Sequence, residues 1–302
     1  MTTQNNYIVF QCYGNERVFH ECAFALLSLS RLYPEGFPPN LQICIYTDKP
    51  GWFRNFSDCP LPLNYRELDL ETIKQWRGNI DFVHRVKIEI LKDFTNDRTG
   101  NILYTDTDVV FTRPLDKLFA GIAKGNRYMH VMEGNINEWG NPIFRKLHKY
   151  LKSKKYLSVN DMPLFNMIMW NAGVLGFNTM HIRLLNDVLK FTDDHYPEFP
   201  KHIIEQFAFS VYFLKPGNIK AAIPWILHYW NLKEAGEILS SFFTYFGGRP
   251  WAELMNYSQL IQIPVLMQQK INFYQCRNIV DKIRKKQWLP EIPDWAEMLK
   301  QL

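Results

Sequence analysis

Asn101-Ile-Leu-Tyr-Thr-Asp-Thr-Asp-Val-Val-Phe111 is the stretch around which the chain is organised. It reads as a buried strand that ends in two acidic residues and then resumes as apolar sequence. Leu103 and Tyr104 precede Asp106 and Asp108; Val109, Val110 and Phe111 follow them. Side chains in extended chain alternate faces, so positions two apart point the same way. The two carboxylates are therefore expected to converge on one spot. Two like charges among apolar neighbours are costly unless a cation sits between them. A hard divalent ion that keeps open positions for phosphate oxygens fits. Asp-x-Asp taken alone is more often a plain strand-to-loop turn, so the flanking sequence has to decide its meaning.

Moving outward toward the N-terminus, Tyr7-Ile-Val-Phe-Gln-Cys12 is a short apolar run ended by Tyr13-Gly14-Asn15. Phe19, Cys22, Ala23, Leu26 and Leu27 follow at the spacing of one helix face. Pro34, Gly36, Pro38 and Pro39 end that helix, and Leu41-Gln-Ile-Cys-Ile-Tyr-Thr-Asp48 is a second buried strand. Leu63 to Leu70 reads as a third, which favours a parallel sheet. Asp81 is placed to cap a helix running through Phe94, with Val83, Val86, Ile90, Leu91 and Phe94 on its buried face. On that helix Arg85 and Glu89 are four apart and can pair at the surface, and Lys87 reads as solvated.

Toward the C-terminus, Tyr128 to Glu133 reads as one strand, followed by a polar loop over 134–142 that carries Trp139. Residues 143–160 form a basic helix, most simply a solvated face. In Trp170-Asn-Ala-Gly-Val-Leu-Gly-Phe-Asn178, Asn171 and Gly173 make a small-residue turn into a strand. Small residues let a ligand approach backbone, and Asn offers a donor and an acceptor suited to sugar hydroxyls; a tight turn explains the pattern equally well. Glu205 and Gln206 interrupt an otherwise apolar helix over 202–213, and His228 lies in an aromatic run, where a lone His is most often a hydrogen-bonded core residue. The tail from 231 reads as helical and ends in Lys282, Arg284, Lys285, Lys286 and Trp288. A basic helix with an aromatic residue can rest on a membrane surface or stay solvated.

Composition narrows the classes. The 302 residues are 47% hydrophobic and 22% charged, ordinary globular values that allow one large α/β unit or two smaller ones. Aromatic residues make up 15%, which serves a heavy core or a sugar-stacking site. A net charge of +5 suits an anionic ligand but does not argue for nucleic acid. Cys12, Cys22, Cys44, Cys59 and Cys276 fit no zinc or disulfide framework, so a reducing, cytoplasmic setting is expected. The N-terminus has no secretory pattern, and no apolar run approaches the roughly 20 residues that span a bilayer. GxGxxG, a Walker loop and a nucleophile elbow are all absent from the sequence.

In their order, these stretches resemble the A-type-fold glycosyltransferases, in particular the family 8 group of glycogenin-like and lipopolysaccharide galactosyltransferase-like enzymes. The likeness runs from about Tyr7 to about Lys233. Leu103-Tyr-Thr-Asp106-Thr-Asp108-Val-Val matches that group's LYLDxDxxV, and Asn171-Ala-Gly-Val-Leu-Gly-Phe-Asn178 its NAGVLLxN. Glu205-Gln206 resembles its Asp-Gln pair, and His228 is placed like its late histidine. The late motif departs: His-Phe-x-Gly-x-x-Lys-Pro-Trp becomes His228-Tyr-Trp-Asn-Leu-Lys233-Glu.

The resemblance implies a Rossmann-like mixed, mainly parallel sheet flanked by helices over residues 1–235; residues 236–302 lie beyond the likeness and are expected as a helical extension packed on it. It implies Mn²⁺ or Mg²⁺ held by Asp106, Asp108 and His228, with Tyr13, Arg85, Asp106, Gly173 and Lys233 binding the donor. Glu205, Gln206 and Asn171 would act beside the donor sugar. The activity implied is transfer from a nucleotide-diphosphate sugar, a UDP-sugar favoured, to a glycan or other hydroxyl acceptor with retention. Weak peripheral contact with a membrane is a further expectation, and contact with nucleic acid is not expected. The competing readings are an inactive nucleotide- or glycan-binding descendant and a sugar-nucleotide nucleotidyltransferase.

Overall fold

A computed structural model describes residues 4–56, 58–138, 140–154, 167–214, 219–278, 281 and 284–300. Trp139, Lys155 and Lys282 lie outside them. The apolar runs form the centre. Strand β1 (Asn6–Gln11) is flanked by β2 (Leu41–Thr47) and β4 (Asn101–Thr105), both parallel to it, and β3 (Leu63–Glu67) extends the sheet beyond β2. β9 (Val174–Asn178) runs antiparallel between β4 and β6 (Arg127–Met129), and β10 (Ile219–Ala221) closes that side. The seven-stranded order is β10-β6-β9-β4-β1-β2-β3.

Alternation along these strands builds two cores. Ile8, Phe10 and Leu103 face one side, with α1 (Glu16–Ser30). Tyr7, Val9, Ile102 and Tyr104 face the other, with α3 (Arg85–Asn96). Asn15 starts α1 by accepting the Val18 N–H, and every residue from Phe19 to Ser30 is buried. Between β3 and β4 lies α2 (Leu70–Arg77); α4 (Asp116–Ala123) leads into β6. β7 (Met132–Asn135) and β8 (Ile168–Trp170) make a small antiparallel pair, with α5 (Pro142–Ser153) between them. α6 (Arg183–His195) and α7 (Ile203–Leu214) cover the second core. Beyond β11 (Ile226–His228), α8 (Ala235–Phe246), α9 (Trp251–Tyr257), α10 (Ile263–Cys276) and α11 (Trp295–Leu299) follow. Phe242, Trp251 and Trp295 from these helices pack into the same core as α1. Among the described residues no helix is long and apolar enough to cross a membrane.

Four local expectations are corrected. The helix through Phe94 begins at Arg85 and not at Asp81, because Gly78 (φ 66) and Asp81 (φ 48) turn the chain first and an Arg77–Asp81 ion pair of 2.7 Å holds that turn. Lys87, expected in solvent, is 5% exposed. The run from Tyr128 to Glu133 divides into β6 and β7: between them His130 N–H donates to the Asn171 carbonyl, and Asn171 N–H to that of Val131. Arg284 and Lys285 lie in a turn, Lys285 at φ 51, and Trp288 is buried in the core, so these three do not share an exposed helix face.

The topology locates a crevice. The chain leaves β1 on one side to build β2 and β3, then returns to its other side as β4. Ligands in open α/β sheets bind beyond the carboxyl ends of strands where the order reverses in this way. Asp106 is the first residue after β4.

Candidate functional site

β4 stops at Thr105, and residues 106–108 form a turn before β5 (Val109–Phe111) pairs with β11. The carboxylates thus converge through a turn between two sheets, not through alternation along one strand. The turn is pinned from three sides: Asp106 N–H donates to the Gly173 carbonyl at 2.8 Å, Tyr229 N–H to that of Asp108 at 2.9 Å, and the Thr107 hydroxyl to Glu21 at 3.4 Å. The β5–β11 register sets His228 opposite Val109. His228 Nε2 consequently stands 3.0 Å from Asp108 Oδ1 and 3.8 Å from Asp106 Oδ2.

The donor set fits a divalent ion. Asn171 Nδ2 donates to Glu133 Oε1 at 2.9 Å, so its Oδ1 accepts, from Gly173 N–H at 3.0 Å and from His228 Nδ1 at 2.8 Å. With the proton on Nδ1, a neutral His228 turns the Nε2 lone pair toward two carboxylates. That arrangement is repulsive until a proton or a cation lies between them. Three ligand atoms, one from each of Asp106, Asp108 and His228, lie within 4.8 Å of one another. Burial pushes the His228 pKa down, but Asp108 more than offsets it and the net shift is upward. Burial raises Asp108, and His228 overcomes that to hold it below the ordinary carboxylate range.

A second charged group stands alongside. Lys87 Nζ donates to the Ala172 carbonyl at 3.0 Å and lies 3.3 Å from Asp106 and 3.4 Å from Glu205. Burial lifts Glu205 to about 7, Lys87 draws it back and Asp106 adds to the rise. Gln206 Nε2 donates to Glu133 Oε2 at 2.7 Å, so Glu133 is gripped from both ends. His130 supports the triad from behind: its Nε2 accepts the His228 backbone N–H at 3.1 Å.

Asp106, Asp108, Asn171, Gly173, Glu205, Gln206, His228 and Lys233 all line one cavity of about 900 Å³. Tyr13 and Arg85 do not. Tyr13 lies just beyond β1, its hydroxyl buried. Arg85 reaches away from the cavity, to Asp193 at 2.7 Å, Glu89 at 2.9 Å and the Trp76 carbonyl at 2.7 Å. It fastens the loop that carries His84, itself a cavity residue. Arg85→Ala is therefore expected to lower unfolding stability by about 1–2 kcal/mol, from lost hydrogen bonds to charged partners, while leaving Mn²⁺ affinity in place. Denaturant melts and calorimetric Mn²⁺ titration check the two halves.

The sequence reading missed Lys87 and Glu133. A signal existed for Lys87, since Lys87, Leu91 and Phe94 share the i, i+4, i+7 spacing of a buried stripe, and a lysine on such a stripe needs anionic partners. Glu133 carries none, because its partners lie at Asn171 and Gln206.

No protein-family model and no curated protein matches the chain. Solved structures do. A galactosyltransferase, LgtC, in complex with donor and acceptor sugar analogs is 14% identical, with 68% of this chain and 70% of that chain covered and a TM-score of 0.45. The glycosyltransferase GlyE of Streptococcus pneumoniae TIGR4 is 15% identical over 84% of this chain and 63% of its own, at a TM-score of 0.48. Mouse xyloside xylosyltransferase 1 is 12% identical over 81% of this chain and 94% of its own, at a TM-score of 0.49.

Proposed function

We propose that this chain is a metal-dependent glycosyltransferase that moves a sugar from a nucleotide-diphosphate sugar to a hydroxyl acceptor. The observation that carries the reading is the triad of Asp106, Asp108 and His228 at the reversal of strand order, opening into a cavity that also holds Lys87, Glu205 and Gln206. Bound Mn²⁺ or Mg²⁺ would supply the charge that neutralises the departing diphosphate. The residues divide the remaining work. Asn171 fixes the His228 tautomer, and Lys87 keeps a buried positive charge against Asp106 and Glu205. Glu205, Gln206 and Asn171 act beside the donor sugar in this reading, and Lys233, exposed at the cavity, meets the diphosphate. Tyr13 serves the nucleotide base. A UDP-sugar donor and retention of configuration complete the proposal.

Residues 1–235 carry the whole donor site in this reading, with 236–302 as an extension, and the five free cysteines favour a reducing, cytoplasmic setting. The late-motif departure at Asn231 and Lys233 favours one alternative, a chain that binds the donor without turning it over. The test is calorimetric binding of UDP with and without Mn²⁺, followed by UDP release from a UDP-sugar panel. Metal-dependent UDP binding without release above background would leave the binding reading standing. Absence of binding under both conditions overturns the proposal.

The site also predicts a pH response of the metal-free protein. A raised His228 pKa stabilises the fold fully below the unfolded value of 6.5, and that contribution is lost as pH rises through the folded value. Glu205, raised from 4.5 to about 7, acts in the same direction. Lowered histidines oppose this near pH 6.5: His84 at about 4 and His130 at about 3 are neutral in the fold while their unfolded imidazoles are still half protonated, and they cease to add slope only above about pH 7.5. Melting temperature should fall as pH rises above about 7.5 through the folded value of His228. Over the same window the stabilisation added by Mn²⁺ should grow, because fewer protons compete for Nε2. A melting temperature that rises across this window contradicts the charge assignment.

A further inference from the structure

Glu133 sits at an irregularity in β7. Met132 pairs with Trp170 and Gly134 with Met169, so Glu133 is an extra residue with no counterpart on β8. Gly134 follows at φ 129, in the region that favours glycine. Bulges of this kind re-aim a side chain, and they recur beside active sites. Here the side chain lines the donor cavity and meets Asn171, the first residue after β8. The carboxylate is held in place and can only accept. Gln206 Nε2 donates to Oε2 at 2.7 Å, which stops it swinging, and Asn171 Nδ2 donates to Oε1 at 2.9 Å. Both amides therefore turn their NH₂ groups toward Glu133.

For Asn171, which is buried, the consequence passes to a metal ligand. Its Oδ1 faces His228 Nδ1 at 2.8 Å and takes the Gly173 N–H at 3.0 Å. The reverse orientation of this amide would present NH₂ to Nδ1. The imidazole would then carry its proton on Nε2 and donate it to Asp108 Oδ1, 3.0 Å away. That tautomer leaves no Nε2 lone pair for an ion. Gly173 N–H opposes the reversal, but the new bond to Asp108 rewards it. The reversal also sets Asn171 Oδ1 against the Glu133 carboxylate, and that repulsion bars it. We propose that Glu133 is a positioning residue of the metal centre: through Asn171 it holds His228 in the tautomer that binds an ion and excludes the one that donates to Asp108. The proposal deepens the metal-dependent reading and rests on it for what the tautomer serves.

Glu133→Gln tests this, since the introduced amide keeps size and hydrogen bonding but can also donate. It pairs with Asn171 in either orientation, so the one-way constraint is gone. Long-range ¹H–¹⁵N spectra of the histidine-labelled, metal-free full chain, with His228 neutral, should show Nδ1–H alone in the wild type and Nε2–H in the variant. His228→Ala assigns the signals. Calorimetric Mn²⁺ affinity should fall about tenfold in Glu133→Gln. Adding Asn171→Asp should reverse both effects. The carboxylate then stands at position 171, accepts from His228 Nδ1, from Gly173 N–H and from the introduced amide, and Gln206 keeps an oxygen to donate to. A purely structural role predicts neither a tautomer change in an isosteric variant nor rescue by the second substitution. Nδ1–H retained in Glu133→Gln with native Mn²⁺ affinity overturns the proposal, and so does a lost tautomer that Glu133→Gln/Asn171→Asp fails to restore. If Glu133→Gln alone does not fold, the double variant decides, and Nε2–H there overturns the proposal. A wild type that binds no Mn²⁺, with a tautomer that still follows the substitutions, counts against the metal reading and leaves Glu133 assigned.

Discussion

Asp108→Ala is expected to weaken Mn²⁺ binding by more than about a hundredfold and to lower turnover of a UDP-sugar by about 10³-fold. Asp108 Oδ1 is the carboxylate oxygen nearest to His228 Nε2, at 3.0 Å, against 3.8 Å for Asp106. Removing it leaves one carboxylate and an imidazole whose other nitrogen stays tied to Asn171. Asp106 does not substitute readily, since its Oδ1 already accepts from the Tyr104 hydroxyl at 2.8 Å and faces Lys87. The fold should tolerate the change, because Asp108 joins β5 to β11 through its backbone carbonyl, which the substitution keeps. Calorimetric Mn²⁺ titration separates ligand loss from misfolding when paired with a melt. Unchanged Mn²⁺ affinity in a folded Asp108→Ala protein would sink the metal role.

Gly173→Ala should be nearly as damaging, although no catalytic atom is touched. The glycine is not needed for a left-handed backbone, since its φ is not positive. It is needed for space. A Cβ at 173 would lie 2.7 Å from His228 Nε2 and closer still to Cε1 and Nδ1. The imidazole has little room to retreat: it is buried, with the Trp230 ring centroid 5.1 Å away and that of His130 5.4 Å. Either the ring leaves Asn171 or the 171–173 turn shifts, and that turn also holds Asp106 through the Gly173 carbonyl. Both displace a ligand. Overpacking of this kind costs about 1–3 kcal/mol of stability, and loss of ligand orientation about 10–100-fold in metal affinity. Gly173→Ala/His228→Ala supplies the control: relief of the clash should recover stability relative to Gly173→Ala but not metal binding. A Gly173→Ala protein with native Mn²⁺ affinity overturns the steric account.

The sequence was most legible where one physical requirement dominated. Tyr7–Cys12, Leu41–Asp48 and Asn101–Thr105 had to be strands because short apolar runs between turn residues suit a sheet covered on both faces. Asp106 and Asp108 were visible because two acids between apolar segments need a reason. The antiparallel course of β9 between β4 and β6 had no local signature, since a fully buried strand reads alike in either direction. The resemblance implied a donor role for Arg85 and none for Lys87, yet their positions are exchanged. Arg85 finds Asp193 across 108 residues of sequence, a partner no local pattern reveals, and Lys87 turns inward to Asp106 and Glu205. The division at His130 was equally hidden, being imposed by the distant backbone of Asn171.

The pairing of β5 with β11 bears on how the site comes into being. Asp108 and His228 are 120 residues apart, so the imidazole reaches the carboxylates only after nearly the whole sheet has been laid down. During synthesis, a chain that has emerged through β4 exposes an acidic turn with no nitrogen ligand. Closing so long a loop is a late and slow event in folding. An ion that prefers the complete triad would therefore favour finished molecules over partial ones.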